Sequence, residues 1–347
     1  MKKATVIGHF GFKYKYSDGQ TVKTKTITEA LESHCGKDQI IKIDTHGGIK
    51  TLLKAPFQIF TALKKTENVI ILPAYKGLLV YAPLLAFERM FFKRRKIHYV
   101  VIGGWLPKYL DKKKWLAKTL KRFDGIYVET KTMQSSLEEK GFHNVFVMPN
   151  CKFLPVLATE DLVYSTEQPY RICTFSRVMP EKGIEDIMRA VKNINEKRGS
   201  VVYSLDIYGP VDEKQADWFK KTSESFPEYV TYRGVVDFKK SVEVLKNYFA
   251  LIFPTRFYTE GIPGTIIDAY AAGIPVISSK WKNFSDIVDD GVTGLGYDFD
   301  NRMGLEELLE KVNSCPEIIS KMRCNCLEKA KEFSPQRVIK ILTEQMN

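Results

Sequence analysis

Short apolar runs recur along the first 150 residues, and each is bounded by charged residues, glycine or proline. Such uninterrupted runs predict β-strands buried on both faces, because a half-exposed strand would alternate apolar with polar residues. Segments with helical spacing lie between them, for example at 26–33 and at 49–65, where Pro56 interrupts the pattern. Buried strands separated by helices predict a parallel sheet covered on both sides. The predicted strands are 4–8, 40–44, 68–73, 97–102, 125–129 and 145–148.

The alternation stops at 151–169, where two prolines and many polar residues leave little periodicity, and then it restarts. We interpret 151–169 as a linker between two domains, 1–150 and 170–333. A last helix at 334–347 is a candidate to pack back on the first domain. The pattern predicts an α/β protein with two doubly wound, Rossmann-like domains facing a cleft, where ligands bind at the carboxyl ends of strands. The strands predicted after the linker are 171–175, 201–208, 230–234, 250–254 and 275–278, and the helices are 183–198, 241–247, 264–272, 305–333 and 334–346.

Composition adds a cellular setting to this fold class. The 347 residues contain no run of 18 uncharged apolar residues, so we expect no transmembrane helix. The apolar run near the amino end is too short for a signal peptide, and we interpret it as the first strand. Six scattered cysteines show no metal-binding spacing. They indicate reduced thiols in a cytoplasmic protein.

Charge is distributed unevenly between the two halves. Residues 1–150 hold 27 Lys and Arg against 12 Asp and Glu, whereas 151–347 hold 26 against 29. An apolar stretch at 77–92 runs directly into Lys93-Arg-Arg-Lys96, and more lysines flank Trp105 and Trp115. This combination favours docking on an anionic membrane surface, at about 1 kcal/mol per cation. A core helix followed by a solvated charged face is the alternative, and the lack of a recognition motif argues against nucleic acid.

The segment 254–278 carries the most distinctive chemistry of the chain. Glu260 precedes a Gly-x-Pro-Gly turn that opens a short helix, and Asp268 follows eight positions later, just beyond the first helical turn. A helix N-terminus favours phosphate, while carboxylates favour hydroxyl groups. One ligand that carries both groups is a nucleotide sugar. The alternative is a tight strand-to-helix turn with both acids solvated.

Two cations follow the first strand of the second domain. Arg177 and Lys182 are five residues apart across a proline-containing turn, just before a helix. Arginine offers a bidentate fork and lysine a point charge, so together they could clamp a diphosphate. Two solvated cations with no ligand are the alternative interpretation.

These parts stand in an order that resembles the family 4 retaining glycosyltransferases of GT-B fold. The resemblance is sharp over 171–300, and over 1–150 it is closest to bacterial transferases of capsule and other surface polysaccharide clusters. The motifs that carry it are Arg177-x4-Lys182-Gly183, a strand ending in Gly209-Pro210, Tyr232-Arg233-Gly234, Glu260-Gly-x-Pro-Gly264, Ala269-x-Ala-Ala-Gly-x-Pro-Val276 and the loop 289–296.

The resemblance implies roles for these residues. It implies that Arg177 and Lys182 bind the donor diphosphate, that Glu260 lies near the donor sugar hydroxyls, and that Asp268 binds the nucleotide ribose. The family usually has Glu where Asp268 stands, so this chain keeps the charge and loses one methylene of reach. The other implied donor-binding residues are Gly11, Gly209, Gly261, Gly264 and Thr265, the last two through backbone N–H groups.

Candidates on the acceptor side come from the first domain. The segment Gly8-His9-Phe10-Gly11 closes the first strand and resembles the family's glycine-rich loop, which faces the donor phosphates and the acceptor. Aromatic faces pack on pyranose rings, which brings in side chains near other strand ends. A plain turn and purely structural side chains remain the alternatives. The acceptor-side candidates are His9, Asp18, His46 and Trp105.

One acidic pattern is interpreted differently. Asp298-Phe-Asp300 fits the Asp-x-Asp pattern of metal-dependent glycosyltransferases of the other major fold. Here it precedes a helical segment at 305–311, and we expect Asp300 to cap that helix. We therefore predict no bound metal and no cofactor other than the donor substrate.

Together these features predict a retaining, metal-independent hexosyltransferase. It would move a sugar from a nucleoside-diphosphate sugar to a saccharide or polyprenyl-linked saccharide, at the inner face of the membrane. In the mechanism that the resemblance implies, the acceptor hydroxyl attacks on the leaving-group face. A sugar-nucleotide isomerase on the same fold is one alternative, although the second domain has no histidine to serve as acid or base. A non-catalytic nucleotide-sugar-binding partner of another transferase is the other.

Overall fold

The computed structural model describes residues 1–12, 19–47, 51, 53–164 and 167–347. The chain divides into two compact units. The first unit comprises Met1–Phe153 together with Phe333–Asn347, and the second comprises Leu154–Glu332. The chain thus leaves the first unit once and returns to it for its last helix.

The described strands of the first unit form a six-stranded parallel sheet in the order β2-β1-β3-β4-β5-β6. This is the flavodoxin-like doubly wound order extended by one strand, and its order reverses between β1 and β3. The strands are β1 (Lys2–Gly8), β2 (Ile40–Asp44), β3 (Thr66–Ile71), β4 (Lys96–Val100), β5 (Gly125–Val128) and β6 (Val145–Val147).

Helices cover both faces of this sheet. One face packs against α1 and the last helix, α13, through Ile27, Leu31, Val338 and Leu342. The other face packs against the remaining helices of the unit. Met346 O of α13 also accepts a hydrogen bond from the buried Asn68 side chain at 3.4 Å. The helices are α1 (Gly19–Cys35), α2 (Ala55–Lys65), α3 (Tyr75–Glu88), α4 (Leu106–Asp111), α5 (Lys114–Leu120), α6 (Lys131–Glu138) and α13 (Pro335–Met346).

The second unit has a six-stranded parallel sheet in the order β12-β11-β10-β7-β8-β9. This is the Rossmann order, which reverses between β7 and β10, and ligands of such sheets bind beyond the carboxyl ends of strands at that point. The strands are β7 (Tyr170–Phe175), β8 (Tyr203–Tyr208), β9 (Val230–Gly234), β10 (Ala250–Phe253), β11 (Val276–Lys280) and β12 (Gly294–Asp298).

Paired helices flank the second sheet. On one side α7 packs against α11, and on the other α10 packs against α12. Arg323 of α12 is buried, and its guanidinium donates to the backbone oxygens of Tyr248 at 2.8 Å and Gly273 at 3.4 Å. The helices are α7 (Ile184–Arg198), α8 (Ala216–Ser223), α9 (Ser241–Leu245), α10 (Gly264–Ala271), α11 (Gly304–Ser314) and α12 (Glu317–Ala330).

The predicted fold class is confirmed, since both units are parallel α/β sheets with helices on both faces. Two differences from the prediction lie in the last part of the second unit. The segment 305–333 is two helices rather than one, because Pro316 lacks an N–H for the continuing ladder and a new helix begins after it. The edge strand β12 was not predicted, because its glycines and polar residues break the apolar pattern.

The predicted capping role of Asp300 is wrong. The helix that follows, α11, has Met303 as its N-cap and no side-chain cap. The Asn301 side chain instead accepts a hydrogen bond from Met303 N at 3.0 Å, one residue beyond the predicted cap.

Candidate active site

The turn after β7 holds the first predicted cation. Arg177 is exposed, and its guanidinium lies 3.4 Å from the carboxylate of Asp212, which follows β8. The neighbouring residue Val178 bridges to Val211, so the two strand ends run side by side. Gly209 permits this approach. Its φ is +131°, and a Cβ there would lie 1.8 Å from the Ser176 carbonyl oxygen.

Lys182 and Glu260 form the centre of the site. Lys182 Nζ donates to Glu260 Oε2 at 2.6 Å, across 78 residues of sequence, and both side chains are mostly buried. Thr255 Oγ1 donates to the same carboxylate oxygen at 3.3 Å. The ammonium also lies 5.0 Å from the centre of the Phe257 ring, a cation–π distance. The fold therefore joins the loops after β7 and β10 at the point where strand order reverses.

The loop after β10 leads into α10. Its N-cap is Pro263, and Gly264 is the first helical residue, directly after Gly261 and Ile262. A proline N-cap has no side-chain oxygen to accept from the first helical N–H groups, which leaves this helix end suited to an anion. The Thr265 hydroxyl is buried without a hydrogen-bond partner among the described residues.

Asp268 lies inside α10 and is only 3% exposed. Its Oδ1 accepts a hydrogen bond from Ser241 Oγ, in α9, at 3.1 Å. A ribose hydroxyl would have to join or displace Ser241 to reach this carboxylate. The predicted ribose contact of Asp268 therefore stays a prediction.

In the first unit, the loop after β1 is held by a carboxylate from β2. Asp44 accepts hydrogen bonds from the backbone N–H groups of Phe10 at 2.9 Å, Gly11 at 3.3 Å and His46 at 2.9 Å. Burial alone would raise the pKa of Asp44, but these N–H groups together hold that pKa below its ordinary value. Gly11 has a φ of +59°, which suits glycine at this turn.

Two histidines meet at the same edge of the first sheet. Nε2 of His9 and Nδ1 of His46 are 2.7 Å apart, so one ring donates to the other. The loops that carry them follow β1 and β2, neighbouring strands of the sheet. The structure thus brings together two of the predicted acceptor-side residues.

The other two acceptor-side candidates have different outcomes. Trp105 is half-buried, with its indole Nε1 donating to Ile102 O at 2.8 Å and its ring against Tyr75 and Tyr109. These contacts hold the Trp105 ring in place, and its predicted acceptor contact stays a prediction. Asp18 lies outside the residues that the structure describes.

Some partners in the site were not predicted. Asn283 donates its amide to the backbone oxygen of Glu260, and Asp212 faces Arg177. Asp212 follows Gly209-Pro210 by two residues, a local signal that could have drawn attention to it. Asn283 has no such signal, because only folding brings it to the loop. Among the residues described, no group of three His, Cys, Asp or Glu side chains could hold a metal ion.

Solved structures with the same arrangement of strands and helices define the fold class. Anabaena HepE, in complex with UDP and glucose, has a TM-score of 0.73 at 14% identity, over 98% of both chains. The apo form of the lipopolysaccharide outer core galactosyltransferase WaaB has a TM-score of 0.71 at 16% identity, over 99% of both chains. The protein therefore has the GT-B fold.

One family model matches most of the second unit. Residues 169–315 match the family model described as glycosyl transferases group 1. This match and the two curated relatives below confirm the resemblance to GT-B transferases of surface polysaccharides, and the matched segment lies within the unit that contains Lys182 and Glu260.

Two curated relatives agree with this resemblance. The amylovoran biosynthesis glycosyltransferase AmsK of Erwinia amylovora is 27% identical over 135 residues, which cover 37% of this chain and 32% of AmsK. The lipopolysaccharide 1,2-N-acetylglucosaminetransferase of Salmonella typhimurium is 26% identical over 181 residues, which cover 49% of this chain and 46% of that protein. The matches thus span less than half of either relative.

Proposed function

We propose that this protein is a retaining glycosyltransferase that moves a sugar from a nucleoside-diphosphate sugar to a saccharide acceptor in surface polysaccharide synthesis. The observation that carries the proposal is the Lys182–Glu260 contact beside the N-terminus of α10. It places a cation for phosphate and a carboxylate for hydroxyls at one point of the sheet edge. The names of the curated relatives and the UDP complexes of HepE support the same substrate class.

The donor diphosphate would bind the two cations that now form ion pairs with carboxylates of the site. Lys182 is paired with Glu260, and Arg177 with Asp212 at the longer distance of 3.4 Å. A diphosphate carries more charge than either carboxylate, so both cations gain by turning toward it. Glu260 would then be released to accept hydrogen bonds from hydroxyls of the transferred sugar.

The chemistry we propose uses no protein nucleophile and no divalent cation. The acceptor hydroxyl attacks the anomeric carbon on the face that the diphosphate leaves, and the departing phosphate oxygen takes the hydroxyl proton. Negative charge grows on that oxygen in the transition state, where Arg177, Lys182 and the N–H groups of α10 stabilise it. Such preorganised donors typically contribute about 100-fold or more each to turnover.

We further propose that the acceptor is lipid-linked and that the first unit docks on the anionic inner face of the membrane. Phe57 and Phe60 of α2 are exposed one helical turn apart, and Phe87 and Phe91 at the end of α3 are exposed likewise. Lys93 and its neighbours follow directly, and the only acid of α3, Glu88, is buried. Apolar rings beside unopposed cations fit an anionic bilayer surface. No helix among the described residues has the length and apolar character to cross a bilayer.

A thermal-shift screen tests the donor site. The purified protein is heated with UDP, GDP, CDP, ADP and their sugars, with and without EDTA. We expect one nucleoside diphosphate to raise the melting temperature, with the same rise in EDTA. Arg177→Ala and Lys182→Ala would abolish the rise, whereas Lys192→Ala, an exposed lysine on α7, would keep it.

The same screen separates the alternatives. If none of the nucleotides raises the melting temperature, donor binding is contradicted and with it the proposed function. Nucleotide binding with no sugar transfer to any acceptor would favour a non-catalytic partner of another transferase. Conversion of the donor sugar into its epimer would favour an isomerase.

A further inference from the structure

A cavity of about 410 Å³ lies in the second unit, and its lining includes neither Lys182 nor Glu260. Its walls come from the loop after β10 (Pro254, Thr255, Arg256), from residues 297–302 at the end of β12 and beyond, and from the start of α7. Since these loops follow parallel strands, the cavity lies at the carboxyl edge of the sheet. This is the edge that carries the candidate active site.

Three arginines line this cavity, namely Arg189, Arg256 and Arg302. Asp186 accepts from both Arg189 and Arg256, each at 2.9 Å, and so compensates only one of their two charges. The bond to Asp186 is the largest cause that raises the pKa of Arg256 above its ordinary value. A guanidinium has five N–H donors, and these contacts use only part of them. The cavity therefore retains donors and positive charge for an anionic group.

The remaining polar lining suits a sugar better than a bare anion. Asp300 adds a carboxylate, and Asn301 adds an amide oxygen that already accepts from Met303 N and has a second lone pair, so both can accept hydrogen bonds from hydroxyl groups. A site for free phosphate would exclude carboxylates, because they repel it. Arginines beside a carboxylate and an amide fit one residue that has both hydroxyls and an anionic substituent.

An aromatic pair stands at the rim. Phe299 lines the cavity, and the Tyr258 ring lies against it edge to face, with centroids 5.2 Å apart. Tyr258 is 53% exposed, so one side of this pair faces outward. Aromatic side chains that combine an apolar face with a polar edge suit the mixed surface of a sugar ring.

The loop after β10 connects this cavity with the active site. Arg256 lines the cavity, and Glu260, four residues later, contacts Lys182. Lys282 N donates to Tyr258 O at 3.0 Å, which ties the middle of the loop to the segment after β11. A saccharide held at Arg256 and Tyr258 would thus lie one short loop away from the donor sugar.

We propose that this cavity is an acceptor subsite for a sugar residue that bears a carboxylate or phosphate group. The inference rests on the proposed function and names its acceptor class as an acidic saccharide. Arg256 and Arg302 bind the anionic group, Asp300 and Asn301 accept from hydroxyls, and the Tyr258–Phe299 pair contacts a ring.

Calorimetric titration of the whole protein, saturated with the nucleoside diphosphate found above, tests this subsite. The probes are a tetrasaccharide that contains glucuronic acid, a neutral glucose tetrasaccharide and inorganic phosphate. We expect the acidic tetrasaccharide to bind about 10-fold more tightly than the neutral one, as one or two charge-assisted hydrogen bonds provide. Phosphate alone binds weakly. If the acidic and neutral tetrasaccharides bind equally, or phosphate binds as tightly as the acidic one, the subsite is overturned.

Variants locate the binding. Arg302→Gln and Arg256→Gln each lower affinity for the acidic tetrasaccharide by about 10-fold and leave the neutral one within 2-fold, because only the charge contact is lost. Arg256→Lys, which keeps the charge beside Asp186, restores part of the affinity. Tyr258→Ser weakens both saccharides. Arg198→Gln, an exposed arginine paired with Glu310 at the far end of α7, is the matched control and changes neither.

Nucleotide binding serves as the independent readout. If the cavity variants keep the nucleotide thermal shift and also keep full affinity for the acidic saccharide, this inference fails while the proposed function stands. If no nucleotide binds to the unmodified protein, the proposed function fails first.

Discussion

The two units share a parallel six-stranded sheet but differ in where their cations lie. In the second unit, six arginines each pair with an Asp or Glu, and Asp206 and Asp186 each take two of them. In the first unit, the basic segment 93–96 and the lysines of α2 lie mostly at the surface beside exposed phenylalanines. Paired cations hold loops in place, whereas exposed cations such as Lys93 and Arg94 can attract an anionic partner. The difference supports the proposal that the first unit, rather than the second, docks on a surface.

Acid should distinguish the units most strongly, because all five histidines belong to the first. His98 is buried between the Tyr127 hydroxyl and Asn68 Oδ1, each at 3.0 Å, and burial with nearby cations lowers its pKa to about 3. The unfolded chain binds a proton near pH 6.5, so the free energy of unfolding falls as pH drops from 6.5 toward 3. The loss from His98 reaches about 5 kcal/mol at most.

Tryptophan fluorescence can follow each unit separately. Trp105 and Trp115 report on the first unit, and Trp218 and Trp281 on the second. With Phe in place of either pair, we expect the first unit to lose stability at higher pH than the second. His98→Gln, whose amide can replace both hydrogen bonds, flattens the pH dependence. Equal acid midpoints for the two units would contradict this prediction.

Gly209→Ala probes the close contact between strand ends in the second unit. The new Cβ would meet the Ser176 oxygen at 1.8 Å, and alanine is strained at a φ of +131°. We expect the free energy of unfolding of the second unit to fall by about 3 kcal/mol. Gly199→Ala, at a left-handed helix end with open space around it, is the control for the backbone strain alone. If both variants lose the same stability, the close approach contributes nothing.

Removal of either site cation should lower turnover. Arg177→Ala and Lys182→Ala each lose a positive charge that stabilises the negative charge on the leaving diphosphate, so we expect kcat to fall about 100-fold or more. Single-turnover sugar transfer measures it, with Lys192→Ala as control. Near-normal rates in both variants would remove these residues from the chemistry.

The smallest expected effect concerns the surface of the first unit. Lys93→Ser with Arg94→Ser should weaken binding to vesicles with anionic lipid by about 30-fold, at about 1 kcal/mol per cation. Phe57→Ser with Phe60→Ser weakens it as well, by removing buried apolar area. Lys220→Ser with Lys221→Ser in α8 of the second unit is the matched control. Equal losses in the control pair would mean that net charge, rather than this surface, attracts the vesicles.

The sequence predicts those elements of the molecule that are encoded by a short, continuous pattern of apolar and polar residues. Eleven of the twelve described strands follow from apolar runs, and the missing one, β12, lies at an edge where glycines replace such a run. Helix α3 was predicted only as the alternative of a core helix at 77–92, because it is apolar on nearly every side and shows no helical period.

Within the site, Glu260 and Lys182 could be grouped from motif order although 78 residues separate them. Their partners Asp212 and Asn283 could not be predicted, because no sequence pattern indicates which residue an Asp or Asn in a loop will contact. The burial of Asp268 was also hidden, since it depends on Ser241 from another helix.

Because α13 belongs to the first unit, it determines which unit can finish folding first while the chain is being synthesised. Val338, Ile339 and Leu342 belong to the core of the first unit, yet the ribosome makes them only after the whole of the second unit. Until then, Ile27 and Leu31 of α1 lack these partners, and the newly made first unit carries an open apolar strip. The second unit, encoded later, is therefore the first that can finish folding, and chains that stop before residue 335 leave that strip exposed to chaperones.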